Sequence, residues 1–513
     1  MLGSSTFLLS LMSTVASLPF FLFTPPAGVL ADMVNRRKLL CFINLWLAAA
    51  AGLLSILGAL HLVNPYILLF CVFLIGAGFA FHSPTWSAIV PDVVTAEELP
   101  SAATLGGLQL NVSGIIGPAL GGILLYFLGA NWVFALNALC FLVVIFALLQ
   151  WKGSKAASEV PLESFLESFA SAIRYVRYAP AVRVVLARNI LFAFFISVIP
   201  ALMPVVGLKE LHLLPCSLGL LFTSMGAGSV FGAVFVLPWA RTWLSANAST
   251  ILANLLVAVV YLLMAFVRQP SLFMMVAALA GLGWTLGASE LWVAGQRAIP
   301  SWARGRMSAI IIMVSQGAIA LGGVVWGFLS QAAGVNIMLV IAAITLALSV
   351  SMAGRLSIDF TTSLSFDPPP ISCVMSPLVY DPQPRDGPVA INFEFEVNRL
   401  RAREFLRLMR ELRLIHLRNG AFRWRLDEDL TRFNTYRVEL MVPSWTGYLL
   451  QRQRLTKAEQ ETIKKVWRLH VGEQIPLEHY YLCVNRELDA QQTAEADAPT
   501  PLDFGAQEVP RTS

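Results

Sequence analysis

Two ionisable side chains that interrupt long apolar segments are the first candidates for chemistry in this sequence. Glu290 and His82 each lie inside such a segment. A titratable group within a membrane-spanning segment is costly to bury and is therefore a functional candidate by default. Both groups can bind and release a proton, so each is a candidate for coupling to a proton gradient. The alternative for Glu290 is a structural ion pair with Arg297 or Arg304, which lie within a few helical turns.

Two side-chain amides, Asn111 and Gln316, occupy matching positions in two apolar segments. Each precedes a glycine-rich stretch by six residues. They are candidates for contacting a substrate in a central cavity, and the alternative is hydrogen bonding between helices. No pattern of catalytic or metal-ligating spacing and no phosphate-binding loop is evident, so we expect no catalytic residue, no metal and no cofactor.

The elements that must position these residues are membrane-spanning helices. Hydrophobic residues make up 57% of the 513 residues and charged residues only 13%, against about 25% charged in an average soluble domain. A membrane helix needs about 20 apolar residues. Eleven segments meet this need: 5–30, 39–61, 65–90, 101–128, 131–150, 186–207, 215–239, 247–267, 270–294, 305–331 and 335–354. The sequence therefore predicts an all-α polytopic membrane protein, with the bilayer as a partner.

Basic residues fall in one set of the intervening loops, which includes Arg36, Arg183, Arg241 and Arg304. The positive-inside rule makes this set cytoplasmic, together with everything after Arg355. Because the basic residues form short runs between apolar segments, the net charge of +5 indicates membrane topology, and we expect no nucleic-acid partner.

The loop between the first two spans carries the strongest motif. It contains Gly28, Asp32, Arg36 and Arg37. Glycine allows close helix packing, and an aspartate at a helix end can pair with arginines. The loop resembles the signature G-x-x-x-D-(R/K)-x-G-R-(R/K) of the major facilitator superfamily, with Met33 and Asn35 departing from it. The resemblance implies a gating role for the four matching residues, the alternative being a loop that only sets topology. In that superfamily the loop follows the second of twelve helices, so the resemblance also implies that the first helix is absent here.

A second motif comprises Gly117, Pro118, Gly121 and Gly122. Proline kinks a membrane helix and small residues allow close packing. This stretch resembles the end of the antiporter motif of drug exporters, and the alternative is a motif for helix packing alone.

A third motif, in the second half, comprises Pro300, Arg304, Gly305 and Arg306. With the preceding motifs it resembles the transmembrane secretion effector branch, which includes enterobactin-exporter-like proteins. The resemblance implies two helix bundles and alternating access. It also implies secondary-active export of a small amphipathic, siderophore- or drug-like molecule across a bacterial inner membrane.

The predicted domains divide the chain into a membrane part and a soluble part. We expect an N-terminal bundle (1–150), a cytoplasmic central loop (151–185), a C-terminal bundle (186–354), a linker (355–387), a cytoplasmic α+β domain (388–486) and a disordered tail (487–513). Alternating and amphipathic patterns in 388–486 predict the order β-α-β-β-α-β of a ferredoxin-like domain. A regulatory or homodimerising role is expected for it. The alternative function for the chain is a membrane-anchored enzyme or sensor that acts through this domain.

Overall fold

The computed structural model describes most of the chain and divides it into two units. The described residues are 6–94, 98, 105, 113, 117, 120–121, 124–125, 127–151, 173–213, 215–299, 304–351, 356–358, 378–379, 381–383, 386–453, 455–472, 476 and 478–483. The units are Met1–Phe366 and Asp367–Ser513. Most of the predicted span 101–128 and of the predicted central loop 151–185 lies outside the described residues, as does the predicted tail.

The first unit is helical. Its described helices are α1 (Thr6–Met33), α2 (Arg36–Ala59), α3 (Pro65–Val93), α4 (Ala130–Gln150), α5 (Pro180–Ile196), α6 (Val198–Val205), α7 (Pro215–Phe231), α8 (Leu237–Trp243), α9 (Ala246–Phe266), α10 (Pro270–Arg297), α11 (Arg304–Ala333) and α12 (Val335–Ser349).

Nine spans within the described residues are long and apolar enough to cross a membrane, and α12 is a shorter apolar helix. The unit is therefore polytopic. The predicted total of eleven spans stays a prediction, because the segment 101–128 is mostly not described. The predicted span 186–207 is longer than expected, since its apolar stretch runs over Pro180–Glu210. Proline is favourable in the first turn of a helix, which explains the earlier start at Pro180.

Two π-turns interrupt the long spans, and each lies near a proline. One covers Val206–Glu210, after Pro204, and the other covers Gly232–Val236, before Pro238. Proline has no backbone N–H to donate and crowds the preceding turn, which explains the widened hydrogen-bond ladder before Pro238.

Glycines bring α7 and α10 into backbone contact. A Cβ atom added at Gly228 would collide with the carbonyl of Ala278, and one added at Gly281 would collide with the carbonyl of Met225. Ser229 Oγ donates a 3.1 Å hydrogen bond to Gly281 O across the same contact. In a lipid bilayer the hydrophobic effect does not drive helices together. Close packing of small residues is therefore a main source of stability in a membrane bundle.

The main buried core of this unit lies among α5, α6, α9 and α10. Tyr261 is fully buried there and its hydroxyl donates a 2.6 Å hydrogen bond to Phe195 O. A buried hydroxyl needs such a partner, because leaving it unpaired costs about 1–3 kcal/mol.

The second unit contains a four-stranded antiparallel sheet with helices. Its elements are β1 (Val389–Glu396), α13 (Ala402–Asn419), β2 (Arg423–Glu428), β3 (Thr435–Val442), α14 (Trp445–Gln453), α15 (Lys457–Trp467) and β4 (His479–Leu482). The strand order is β2-β3-β1-β4. Phe393 lies opposite Val438, and Ile391 opposite Leu440. Because side chains alternate between the faces of a sheet, these four residues share one face, which packs against the helices.

Candidate functional site

Helix α1 packs against α11 through small residues and so joins the two halves of the helical unit. The contacts pair three glycines of α11 with side chains of α1: Gly317 with Phe21, Gly323 with Thr14, and Gly327 with Ser10. Thr14 Oγ1 also donates a 2.9 Å hydrogen bond to Ala320 O. A Cβ at Gly323 would lie only 2.5 Å from Thr14 Oγ1, so the spacing of these helices requires glycine.

The contact is confined to one part of α1. Its pairs run in opposite directions along the helices, from Ser10 with Gly327 to Phe21 with Gly317. At Gly28, seven residues further along α1, an added Cβ would have no atom of the described residues within 4 Å. Among the described residues, the two halves are thus in close contact toward the start of α1 and not at Gly28, near the basic loop. The close packing expected for Gly28 stays a prediction.

A polar layer lies beside this contact. Asn189 Nδ2 donates a 2.8 Å hydrogen bond to Ser315 Oγ, which in turn donates to Ile311 O at 2.7 Å. Gln316 follows Ser315 and is half-buried. Its predicted counterpart Asn111 lies outside the described residues. The hydrogen bond between Asn189 and Ser315 joins two helices. Hydrogen bonding between helices is the alternative to substrate contact for the polar residues of these segments.

Aromatic rings line the next turns of α5 and α11. The indole nitrogen of Trp326 donates a 3.2 Å hydrogen bond to Phe194 O, and the rings of these residues are 5.5 Å apart. Phe195 stands 5.8 Å from the same indole. Such a cluster offers an apolar, polarisable surface close to the polar layer.

Glu290 forms an ion pair with a residue that was not predicted as its partner from the sequence. Its Oε1 accepts a 2.7 Å hydrogen bond from Arg241 Nε of α8. The observed partner is thus Arg241 in place of Arg297, and the side chain of Arg304 lies outside the described part. The sequence could not indicate this contact, because the two residues are 49 positions apart and meet only when α8 folds beside α10.

His82 lies in an aromatic environment on α3. Its ring stacks on Trp86 at 6.2 Å with an interplanar angle of 12°, and Phe79 contacts it edge-on at 6.3 Å. This packing accounts for the position of the imidazole without a charged partner being required.

The basic loop after α1 does more than set topology. Arg37 Nε donates to Leu148 O at 2.7 Å, and its Nη2 donates to Leu149 O at 2.5 Å. These carbonyls belong to the last turn of α4, where a cation is favourable. Arg36 is half-buried, whereas the side chain of Asp32 lies outside the described part. Asn35 caps α2 by accepting a 3.1 Å hydrogen bond from Lys38 N.

The other two motifs are only partly visible. No atom of the described residues would lie within 4 Å of a Cβ added at Gly117 or Gly121, and the packing role expected of them stays a prediction. Pro118 and Gly122 lie outside the described residues, as does Pro300. Arg304 begins α11, but the side chains of residues 304–306 are not described. Beside that loop, Gln296 Nε2 donates to Ser308 Oγ at 2.9 Å and ties α10 to α11.

Sequence reasoning treated Arg188 only as a topological charge, yet it is the centre of a buried polar cluster. It donates to Thr250 Oγ1 at 2.6 Å, to Leu356 O at 3.3 Å and to the side chain of Asn247. A cavity of about 340 Å³ adjoins it. The only available sequence signal was an arginine inside the first turns of an apolar helix, where burial of the charge demands several acceptors.

Within the described residues, no three His, Cys, Asp or Glu side chains are grouped closely enough to hold a metal ion. The described helices thus offer hydrogen bonds, aromatic surface and ion pairs. Groups of these kinds are suited to recognising a solute.

Comparison with known proteins decides the family. The sequence model of the transmembrane secretion effector family matches residues 2–488. The chain belongs to this family of the major facilitator superfamily. Two solved structures share the fold of this transmembrane secretion effector at low sequence identity. One is a bacterial homolog of the human lysosomal transporter Spinster, inward-facing and occupied (TM-score 0.55, 12% identity, 71% of this chain and 91% of that one). The other is a POT family transporter in complex with 5-aminolevulinic acid (TM-score 0.57, 14% identity, 69% and 89%).

Curated relatives of this transmembrane secretion effector carry the names of efflux proteins. Macrolide efflux protein A of Streptococcus pyogenes is 24% identical over 45% of this chain and 58% of its own length. The multidrug efflux pump Tap of Mycolicibacterium fortuitum is 25% identical over 64% and 81%, and the enterobactin exporter EntS of Citrobacter koseri is 25% identical over 46% and 56%. The matches thus span little more than half of the macrolide and enterobactin proteins. All three names describe transporters, and none describes an enzyme.

Proposed function

We propose that the protein is a secondary-active exporter of small amphipathic molecules that works by alternating access. The observation that carries this proposal is the contact of α1 with α11. It brings the two halves together from Ser10 to Phe21, whereas at Gly28 no atom of the described residues would lie within 4 Å of an added Cβ. Alternating access requires such a contact to close one side of a central site while the other side is open. The names of the relatives support export as the direction and small organic molecules as the substrate class.

Membrane vesicles of defined orientation test the proposal. Everted vesicles from cells that make the protein should accumulate a radiolabelled macrolide or enterobactin when an inward-acidic proton gradient is imposed. Accumulation should collapse on addition of a protonophore. Vesicles containing equal amounts of a Gly323→Val variant provide the matched control, because valine cannot fit beside Thr14 and should block the motion. Equal accumulation in vesicles with and without the protein, for every solute in a broad panel, would contradict export.

The pairing of Glu290 with Arg241 bears on energy coupling. The carboxylate of Glu290 is already held by the Arg241 guanidinium in an ion pair at 2.7 Å. We therefore infer that Glu290 mainly ties α10 to α8, and that coupling through His82, Asn111 or Gln316 is still to be tested.

Topology and the second unit also belong to this proposal. The positive-inside rule supports a cytoplasmic basic loop at Arg36 and a cytoplasmic second unit in the bacterial inner membrane. The strand order β2-β3-β1-β4 of its antiparallel sheet supports a ferredoxin-like arrangement, and a homodimer through this unit is retained as a prediction. A cysteine replacing exposed Val34 should react with an impermeant maleimide in everted vesicles and be protected in intact cells. Labelling from outside intact cells would reverse the topology.

A second candidate function, a sensor acting through the C-terminal unit, is favoured by one observation. A cavity that is partly open to solvent lies between the sheet and the helices of that unit. The enzyme alternative is not proposed, since the relatives are named as efflux proteins and exporters.

A further inference from the structure

A cavity lies between the sheet and the helices of the C-terminal unit, far along the chain from the proposed transport site. Its empty space is about 650 Å³, a figure that includes space open to solvent. The sheet wall is formed by Phe393 and Phe395 of β1 and by neighbouring residues of β3. On the helical side, Leu412 of α13 and Trp467 of α15 add further apolar surface. Aromatic rings on two walls favour a flat, apolar guest.

One end of the cavity holds a charged pair that is already balanced. Glu478 accepts hydrogen bonds from the hydroxyls of Tyr448 and Tyr480, and Arg452 Nη1 approaches its Oε2 at 3.4 Å. Arg452 also lies over the Tyr448 ring, 5.7 Å from its centroid. Burial and the neighbouring Glu478 carboxylate raise the pKa of Tyr480 to about 12. The tyrosines therefore stay protonated at neutral pH, the net charge of this end is zero, and a neutral guest is favoured.

His416 of α13 and Gln451 of α14 also line the cavity. Gln451 Nε2 lies 3.1 Å from His416 O and 3.2 Å from His416 Nδ1. The His416 carbonyl can only accept, so the Gln451 atom that faces it must be the amide nitrogen. That nitrogen is a donor, so His416 Nδ1 must accept from it as well. Burial lowers the pKa of His416 to about 4, which leaves a neutral ring with its proton on Nε2. Among the described residues, neither His416 Nε2 nor the Gln451 amide oxygen has a hydrogen-bond partner in the protein.

A cavity lined by polar atoms without protein partners is unusual in a folded domain. Interiors are packed about as densely as organic crystals, and buried polar atoms normally find a partner. Here His416 Nε2 can donate and the Gln451 amide oxygen can accept, and both residues line the same cavity. A hydroxyl group can accept from an N–H and donate to an amide oxygen at the same time.

We propose that this cavity is a binding site for a small neutral aromatic molecule that carries a hydroxyl group, with the ring against Phe393, Phe395 and Trp467 and the hydroxyl between His416 and Gln451. The site is separate from the proposed export function, and its occupancy can be measured without any transport. A phenolic guest fits the shape, the neutrality and the paired donor and acceptor of the cavity.

Calorimetry on the full chain in lipid nanodiscs tests this proposal, with 2-naphthol as the probe and naphthalene as its counterpart without the hydroxyl. Heats from empty nanodiscs are subtracted. We expect one saturable 2-naphthol site per chain. Naphthalene should bind about five-fold more weakly, because it lacks roughly one hydrogen bond. His416→Leu should weaken 2-naphthol about five-fold and leave naphthalene unchanged. Equal affinities of the two probes, or no effect of His416→Leu, would overturn the assignment of the hydroxyl.

Two phenylalanine substitutions on α13 locate the site. Leu412→Phe fills the cavity and should weaken 2-naphthol at least ten-fold. Leu414→Phe is the matched control, because Leu414 is 41% exposed and does not line the cavity, and it should bind as the wild type does. Unchanged binding in a folded Leu412→Phe protein would overturn the proposal, since the heat would then arise in the membrane unit. If Leu412→Phe does not fold, the His416→Leu comparison, which adds no bulk, still decides the question.

Discussion

Glu290 Oε1 accepts a 2.7 Å hydrogen bond from Arg241 Nε, so a carboxylate that is 5% exposed is neutralised by a guanidinium that is 45% exposed. The pair connects α10 with the short helix α8, which follows a π-turn. A buried carboxylate without an ionic partner would destabilise the protein, because no attraction would offset the free energy of its desolvation.

The first prediction concerns this pair. Glu290→Gln and Arg241→Met should each lower the stability of the detergent-solubilised protein by about 1 kcal/mol, a figure reduced because the arginine is partly solvated. The double variant should lose less than the sum of the two, since the second change removes a charge that has already lost its partner. Thermal unfolding in one detergent measures all four proteins. Strictly additive losses would show that the two residues do not interact.

A second prediction uses the contact between α1 and α11. A Cβ on residue 317 would lie 3.2 Å from Phe21 Cγ, and a cysteine Sγ at position 21 would take about the place of that Cγ. This is close to the roughly 3 Å between Sγ and the opposite Cβ that the disulfide bond lengths imply. The Phe21→Cys/Gly317→Cys protein should therefore cross-link on mild oxidation, which a gel shift after cleavage in the intervening chain detects.

Cross-linking should stop accumulation of solute in vesicles, and reduction should restore it. Each single-cysteine variant controls for the native thiols and should be insensitive to oxidation. Full transport by the cross-linked protein would mean that α1 and α11 need not separate, and alternating access at this contact would be wrong.

The third prediction concerns Arg37, whose guanidinium donates to Leu148 O and Leu149 O at the end of α4. Arg37→Gln should lower the unfolding free energy by about 1 kcal/mol, because two carbonyls lose a charged donor. Arg37→Lys should recover only part of this, since an ammonium lacks the planar fork. Lys38→Gln, at the neighbouring exposed position, should have little effect. Equal losses for Arg37→Gln and Lys38→Gln would show a general effect of loop charge.

The fourth prediction is a pH dependence of the C-terminal unit. The pKa of His416 is lowered to about 4 by burial, below the usual value near 6.5. As the pH falls, the unfolded chain therefore takes up this proton before the folded one does. The unit should lose up to about 3 kcal/mol of stability between pH 6.5 and 4 and keep it above pH 6.5.

Hydrogen exchange of the β1 and β3 amides in the full chain measures that loss. His416→Gln keeps a polar side chain without the titration, so its stability should be flatter across the same pH interval. A wild-type slope that persists unchanged in this variant would assign the effect to other groups.

The sequence predicted well those features that depend on local composition. The spans around α2, α9 and α10 were found because about 20 apolar residues in a row have few alternatives to a membrane helix. The π-turns near Pro204 and Pro238 were not found, since their positions depend on how each helix is packed as well as on proline.

The site was less accessible to sequence reasoning because its contacts join distant positions. Thr14 meets Ala320 across 306 residues, and Asn189 meets Ser315 across 126. Only the glycines of α11 gave a local sequence signal of close packing. That signal did not indicate which helix packs on them. The partner of Glu290 was missed for the same reason. The cavity beside His416 could not be foreseen, because a void is a property of several elements together and no single segment encodes it.

The backbone contacts at Gly228 and Gly281 have a mechanical consequence, because each glycine approaches a carbonyl of the other helix. Where main chains touch, rotating either helix about its own axis drives a peptide group into its neighbour, and no side chain is available to rotate aside. We therefore expect α7 and α10 to move together as one rigid pair.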